Sequence, residues 1–309
     1  MDILITGGSG FIGNAMALHM AKAGHRVVAL ARRPLDLWPI AQHPSLQRLQ
    51  VDLKDEAGLT RVFGRLKPHT VIHTAWEGMT RDKRDNPAQA QNLLATQNVM
   101  QAAGAHGCKI FIGLGSQAEY GVHNRRISEE DAVPAPASLY GCYKLAAGHA
   151  GMHFAAMHDF NYAWLRLFSA FGPGDGEDYI IPHTIKNFLA GTLPKLSNCQ
   201  QQWDYLYVND ICRLVELVLA KKEDFRGMYN LCSGQPRRLK DIVFKLKEIS
   251  GNGVDPYFDE QPPAPGSLLH LEGDTAKFQK TFGWVELSDF DQSLKETVQW
   301  FQQTQAIKK

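Results

Sequence analysis

The chain has 309 residues, is 44% hydrophobic and carries a formal net charge of +1. Length and apolar content suit one large domain, or a main domain with a smaller lobe, around a substantial core. The near-neutral balance offers no footprint for a nucleic-acid partner, and no apolar run approaches the roughly 20 residues that cross a bilayer.

Taken in chain order, strands are predicted at 3–6, 26–30, 46–51, 70–75, 109–114 and 162–167. Helices are predicted among them at 11–23, 56–66, 88–105 and 140–158. Gly24 stops the first helix and Pro68 follows the second, as helix-end chemistry requires. Several strands are apolar throughout rather than alternating, the pattern of a parallel sheet covered by helices on both faces. After Phe171 the texture changes. Residues 172–176 read as a loop, 182–190 and 209–220 as helices, 228–231 as a strand, and 238–249 and 291–302 as helices. Pro256, Pro262, Pro263, Pro265 and Gly266 mark an irregular segment suited to the edge of a cleft. The first strand begins at about Asp2, which leaves no room ahead of it for a signal peptide. The five cysteines, Cys108, Cys142, Cys199, Cys212 and Cys232, are odd in number and lack metal-type spacing. They read as reduced thiols of a cytoplasmic protein, and no metal site is expected.

Two motifs carry chemistry. Gly7, Gly10 and Gly13, in Thr6-Gly7-Gly8-Ser9-Gly10-Phe11-Ile12-Gly13, have G-x-x-G-x-x-G spacing between a strand and a helix. Glycine permits positive φ and close backbone approach. The helix start at Phe11, Ile12 and Gly13 offers N–H groups and a partial positive charge to a diphosphate. At the end of the second strand, Ala31-Arg32-Arg33-Pro34 stands where an acidic residue would hold the ribose hydroxyls of NAD. Arg32 and Arg33 instead suit a 2′-phosphate, unless they are merely solvated, so NADP(H) is favoured with NAD(H) as the alternative. Asp52, followed by Leu53, is placed to accept a hydrogen bond from the adenine amino group, or else to cap a helix.

In the second motif, Tyr140-Gly141-Cys142-Tyr143-Lys144, Tyr140 and Lys144 are four residues apart and share one helix face. The lysine ammonium is expected to lower the phenol's pKa from about 10 toward working pH, so that it gives or takes a substrate proton. Tyr143 points elsewhere and packs. The fifth strand ends in Gly113-Leu114-Gly115-Ser116-Gln117-Ala118-Glu119-Tyr120-Gly121. Ser116 therefore falls at a strand's carboxyl end, where parallel sheets bind ligands, and is placed to polarise a carbonyl beside Tyr140. Glycine loop and Tyr–Lys pair in this order point to hydride chemistry on a nicotinamide cofactor.

With these residues the sequence resembles the extended short-chain dehydrogenase/reductase family, in its sugar-nucleotide epimerase/dehydratase/reductase branch. The likeness also runs through Asp52, Val71-Ile72-His73-Thr74-Ala75, Asn92, Leu165-Arg166-Leu167-Phe168, Phe171-Gly172-Pro173-Gly174, residues 204–210 and residues 229–234. It implies a Ser116/Tyr140/Lys144 triad. It also implies cofactor contacts from the loop, Asp52, Leu53, Ala75, Asn92, Tyr140 and Lys144. The expected architecture is α/β: a Rossmann doubly wound parallel sheet with a smaller C-terminal substrate-binding lobe. Residues 1–171 form the dinucleotide-binding domain, completed by about 204–232, and 172–203 with 233–309 form the lobe. The helices at 88–105 and 140–158 are expected to build a homodimer's four-helix bundle, with Ala95, Val99, Ala102, Ala147, Ala150 and Gly151 permitting close packing. The alternative is that they pack only on their own sheet.

Departures from the family pattern narrow the expectation. Family dehydratases carry Asp-Glu directly after the catalytic hydroxyl; here these are Gln117 and Ala118, and Glu119 lies one place too far on. Trp203 stands where an arginine often grips the diphosphate, no arginine follows Arg238, and Ser169 replaces an asparagine. Lys186, Lys195, Arg237, Arg238 or His270 would have to supply the missing cation. Candidate substrate contacts are Gln117, Ser169, Lys195, Trp203 and His270, with Trp203 stacking on a sugar or base or packing in the core. The leading expectation is an NADPH-dependent ketoreductase acting on a nucleotide-linked 4-keto-6-deoxyhexose. The alternatives are a sugar-nucleotide 4-epimerase that keeps its NAD bound and a catalytically silent NADP-binding regulatory protein.

Overall fold

The computed structural model describes residues 1–34, 43–251, 253–264 and 266–307, so Pro265 of the predicted irregular segment lies outside it. The first half alternates as the apolar runs dictate: β1 (Asp2–Thr6), α1 (Phe11–Lys22), β2 (Arg26–Ala31), β3 (Leu46–Gln50), α2 (Glu56–Leu66), β4 (Thr70–His73), α3 (Ala90–Ala105) and β5 (Ile110–Ser116). There follow β6 (Arg126–Ile127), α4 (Leu139–His158), β7 (Asn161–Leu167), β8 (Ser169–Phe171), α5 (Ile180–Leu189), β9 (Lys195–Leu196) and β10 (Gln202–Tyr207). The chain closes with α6 (Val208–Ala220), β11 (Arg226–Leu231), β12 (Pro236–Arg238), α7 (Leu239–Ser250), β13 (Tyr257–Phe258), β14 (His270–Gly273), α8 (Ala276–Phe282) and α9 (Phe290–Ile307).

Seven strands form one parallel sheet in the order β11-β7-β5-β4-β1-β2-β3. The chain runs outward from β1 to β3 and then returns to β4 on the other side of β1. That reversal opens a crevice at the strands' carboxyl ends, where open α/β sheets bind ligands. Both faces are covered. Met16, Met20, Ile211, Val215 and Phe278, from α1, α6 and α8, pack on one face; Leu59, Phe63, Val99 and Met100, from α2 and α3, pack on the other. The fold is the expected doubly wound α/β sheet.

Five of the remaining strands make a smaller sheet, β12-β10-β14-β6 with β8 also paired to β10, and β9 and β13 form a separate two-stranded ribbon. The α5, α7 and α9 helices cover a third core through Ile181, Ile185, Phe188, Leu239, Ile242, Leu294 and Val298. The short strands of this region were not predicted, nor was α8. Apart from the six-residue β10, also unpredicted, these strands have two to four residues and carry too little periodicity to read from a sequence.

Candidate active site

The loop after β1 is shaped by close approach. Gly7 has φ of 72°, and a Cβ there would lie 2.7 Å from Thr74 Oγ1. A Cβ on Gly13 would lie 2.2 Å from the Gly7 carbonyl oxygen, so α1 starts this close to β1 only with glycine. At Gly10 a Cβ would meet only Gly7 O, at 3.2 Å, which leaves that side of the loop open. Gly10 is the N-cap of α1 and no side chain caps the helix. First-turn N–H groups have no intrahelical partner, so Phe11, Ile12 and Gly13 present a cradle that fits a dinucleotide's diphosphate.

Around this cradle, Arg32 Nη1 pairs with Glu77 Oε1 at 2.8 Å, both side chains being more than half exposed. Asp52 is not the cap of α2. Asp55 is, accepting the Gly58 N–H at 2.9 Å, while Asp52 Oδ1 accepts the Lys54 N–H at 3.0 Å in a turn. Leu53 is partly buried against the α2/α3 core. Asn92 fastens the loop after β4: its Oδ1 accepts the Glu77 N–H at 2.8 Å and its Nδ2 donates to Glu77 O at 3.1 Å. Ala75, at the start of that loop, donates its N–H to Thr6 Oγ1 at 3.4 Å. His73 joins Thr6 and Thr96 through its two ring nitrogens at 2.8 and 2.9 Å. Burial holds its imidazole down at about 3, so it is a neutral strut between β1, β4 and α3.

Ser116, Tyr140 and Lys144 come together, all buried, below the carboxyl end of β5. Ser116 Oγ accepts the Ala118 N–H at 3.1 Å and lies within hydrogen-bonding reach of the Tyr140 phenol. The expected lowering of that phenol's pKa by Lys144 is not what the geometry gives. Burial raises the phenol to about 12, against a downward pull from Ser116 and Arg84. Lys144 Nζ instead donates to Leu114 O at 2.6 Å and sits 4.0 Å above the Trp76 ring. Its own pKa is pushed down to about 7 by burial. Trp76 in turn meets Tyr140 edge-on, with ring centroids 6.1 Å apart.

Glu119 is not aimed at the cleft. It is fully buried; Oε1 accepts the Ser116 N–H at 2.8 Å and Trp164 Nε1 at 2.9 Å, and Oε2 accepts Arg166 Nε at 2.8 Å. The Arg166 guanidinium lies 4.5 Å from the Tyr120 ring centroid, and the Tyr120 hydroxyl donates to Asn230 Oδ1 at 2.7 Å. This buried network fixes the backbone on which Ser116 sits.

The predicted substrate contacts are dispersed. Gln117 opens the short turn after Ser116, and Ser169 pairs with Tyr205 across β8 and β10. Trp203 packs between two cores and donates Nε1–H to Leu268 O at 3.1 Å. Lys195 is exposed on the β9/β13 ribbon, and His270 bonds Glu272 at 2.9 Å. Lys186 pairs with Glu177, Arg238 bonds Gln200, and Arg237 covers the Phe290 ring at 4.2 Å. The cation at Tyr140 is one the motifs did not indicate: Arg84 Cζ lies 5.2 Å from the phenol's ring centroid. Tyr179 and Asp175 were also missed. Asp175, buried in the loop after β8, has its carboxyl pushed up to about 7 by burial.

Residues 3–232 match the sequence model of the NAD dependent epimerase/dehydratase family. A dTDP-glucose 4,6-dehydratase of Neisseria gonorrhoeae is 28% identical over 331 residues, covering 97% of this chain and 95% of that protein. A GDP-6-deoxy-D-mannose reductase of Pseudomonas aeruginosa is 24% identical over 308 residues, covering 95% and 94%. Among solved structures, MoeE5 in complex with UDP-glucuronic acid and NAD superposes with a TM-score of 0.87 at 26% identity, covering 98% of this chain and 100% of that one.

Proposed function

The chain belongs to the NAD dependent epimerase/dehydratase family and is an NAD(P)-dependent enzyme, and from that premise we propose that it is an NADPH-dependent ketoreductase acting on a nucleotide-linked 4-keto-6-deoxyhexose. What carries the redox reading is the burial of Ser116, Tyr140 and Lys144 together at the carboxyl end of β5, and the reductive direction rests on Arg32 and Arg33 after β2, which suit NADP(H). When bound, the nicotinamide supplies the hydride to the carbonyl carbon. Tyr140 Oη gives its proton to the carbonyl oxygen. Ser116 Oγ, already accepting from Ala118, donates its O–H to the same oxygen. Dehydration is disfavoured, because Glu119 is committed to Ser116, Trp164 and Arg166. Incubation with nucleotide-linked keto-sugars, with NADH and NADPH in parallel, tests this reading. Consumption of reduced cofactor supports it, and its absence across the panel contradicts it.

One observation favours the second reading, an NAD-dependent 4-epimerase. The Arg32 guanidinium proposed to read a 2′-phosphate is paired with Glu77. An exposed pair of this kind is worth about 0–1 kcal/mol, whereas a charge-assisted bond to phosphate contributes about 1.5–3 kcal/mol. NADPH is therefore expected to displace Glu77. Arg32→Ala should weaken NADPH binding by about tenfold or more and leave NADH nearly unchanged. A wild type that prefers NADH in a fluorescence titration, or a variant that loses both cofactors equally, overturns the NADP(H) assignment.

A homodimer through α3 and α4 is part of the proposal. Val99, Ala102, Ala147 and Gly151 are buried within the monomer, and a Cβ on Gly151 would lie 2.1 Å from Tyr162 Oη. Their small size thus serves the helices' seat on their own sheet. Leu94 and Met157, 44% and 75% exposed, are the large apolar side chains exposed on these two helices among the described residues, and they are available to a partner. Light scattering at micromolar concentration should give twice the chain mass; a monomer overturns this.

A further inference from the structure

The notable feature of Arg84 is its lack of an anion. Its Nε donates to Met79 O at 3.0 Å, and among the described residues its terminal N–H groups have no hydrogen-bond partner and it makes no ion pair. Yet it is half-buried, and its charge acts on the Tyr140 and Tyr179 phenols alike. Its segment is docked on the start of α4: the Arg84 carbonyl accepts the Tyr140 N–H at 2.8 Å, and Asp85 Oδ1 accepts the Leu139 N–H at 3.0 Å. The residues just before it, Thr80 to Lys83, line an open cleft together with Asp178, the sequence neighbour of Tyr179; Arg84 itself is not part of that lining. Partial burial of a guanidinium costs free energy unless an anion or good acceptors meet it.

We propose that Arg84 is an anion subsite for the substrate, taking carboxylate or phosphate oxygens beside the reacting carbon. The inference rests on the nucleotide-sugar reading above. It places the cation missing from the C-terminal lobe on the dinucleotide-binding side of the cleft. The guanidinium fork accepts two oxygens of a planar carboxylate or of a phosphate, so either a sugar carboxylate or the diphosphate satisfies it.

Calorimetric titration distinguishes the two sources. The protein, saturated with oxidised cofactor, is titrated with UDP-, dTDP- and GDP-hexoses and with UDP-glucuronate, which differs from UDP-glucose by a carboxylate. Wild type is compared with Arg84→Gln and Arg84→Lys. Arg84→Gln should weaken binding by about 10- to 100-fold, and Arg84→Lys should recover part of the loss. Thermal unfolding should be unchanged, which a merely structural role would not allow. A loss common to all ligands assigns the subsite to the diphosphate, and a loss confined to glucuronate assigns it to a sugar carboxylate and so excludes the 6-deoxyhexose as the substrate. Equal affinity of wild type and Arg84→Gln for every ligand overturns the subsite alone. A wild type that binds none of them overturns the nucleotide-sugar reading as well.

Discussion

Tyr140→Phe is expected to cut turnover by about 10²–10⁴-fold, the usual contribution of a positioned general acid. The substitution removes only the hydroxyl. The ring keeps its edge contact with Trp76 and its place under Arg84, so packing should survive. Cofactor affinity should change little, because the glycine cradle, not the phenol, is proposed to hold the diphosphate. Turnover, and NADPH binding by fluorescence, separate the two effects. Undiminished turnover in the variant removes Tyr140 from the chemistry.

Glu119→Ala is expected to cost about 3–5 kcal/mol of folding stability, the range for breaking a buried ion pair and leaving one charge alone. Arg166 would lose its carboxylate with its side chain only 4% exposed, and Ser116 N–H and Trp164 Nε1–H would lose their acceptor. Combining Glu119→Leu with Arg166→Met should cost less than the sum of the single changes, because no buried charge is then left unpaired. Urea unfolding measures all of these. A Glu119→Ala variant within about 1 kcal/mol of wild type would show that the network contributes little.

Much of the dinucleotide half was legible, because its strands are apolar runs and its helices have clear stops. The glycine loop was legible for a stronger reason: Gly7 and Gly13 are demanded by contacts under 3 Å that any side chain would violate. What escaped was tertiary. Glu119 read as a misplaced carboxylate because its partner Arg166 lies 47 positions away and β5 and β7 bring them together only in the sheet. Lys144 read as the phenol's partner because helix spacing puts both on one face, but spacing does not reveal the Leu114 carbonyl or the Trp76 indole that hold the ammonium. Arg84 was invisible for the opposite reason. It sits in Arg81-Asp82-Lys83-Arg84, a charged run of the kind that usually faces solvent, and only the docking of that segment on α4 turns it toward Tyr140.

The most direct test of hydride chemistry at Ser116 and Tyr140 follows an isotope. Purified protein is incubated with NADPH deuterated at the transferable position and a nucleotide-linked 4-keto-6-deoxyhexose, and the sugar product is weighed by mass spectrometry. The account predicts one deuterium on the reduced carbon, and labelling slowed by about 10²–10⁴-fold when Tyr140→Phe replaces the wild type. An unlabelled product, or label transfer undiminished in the variant, would contradict it.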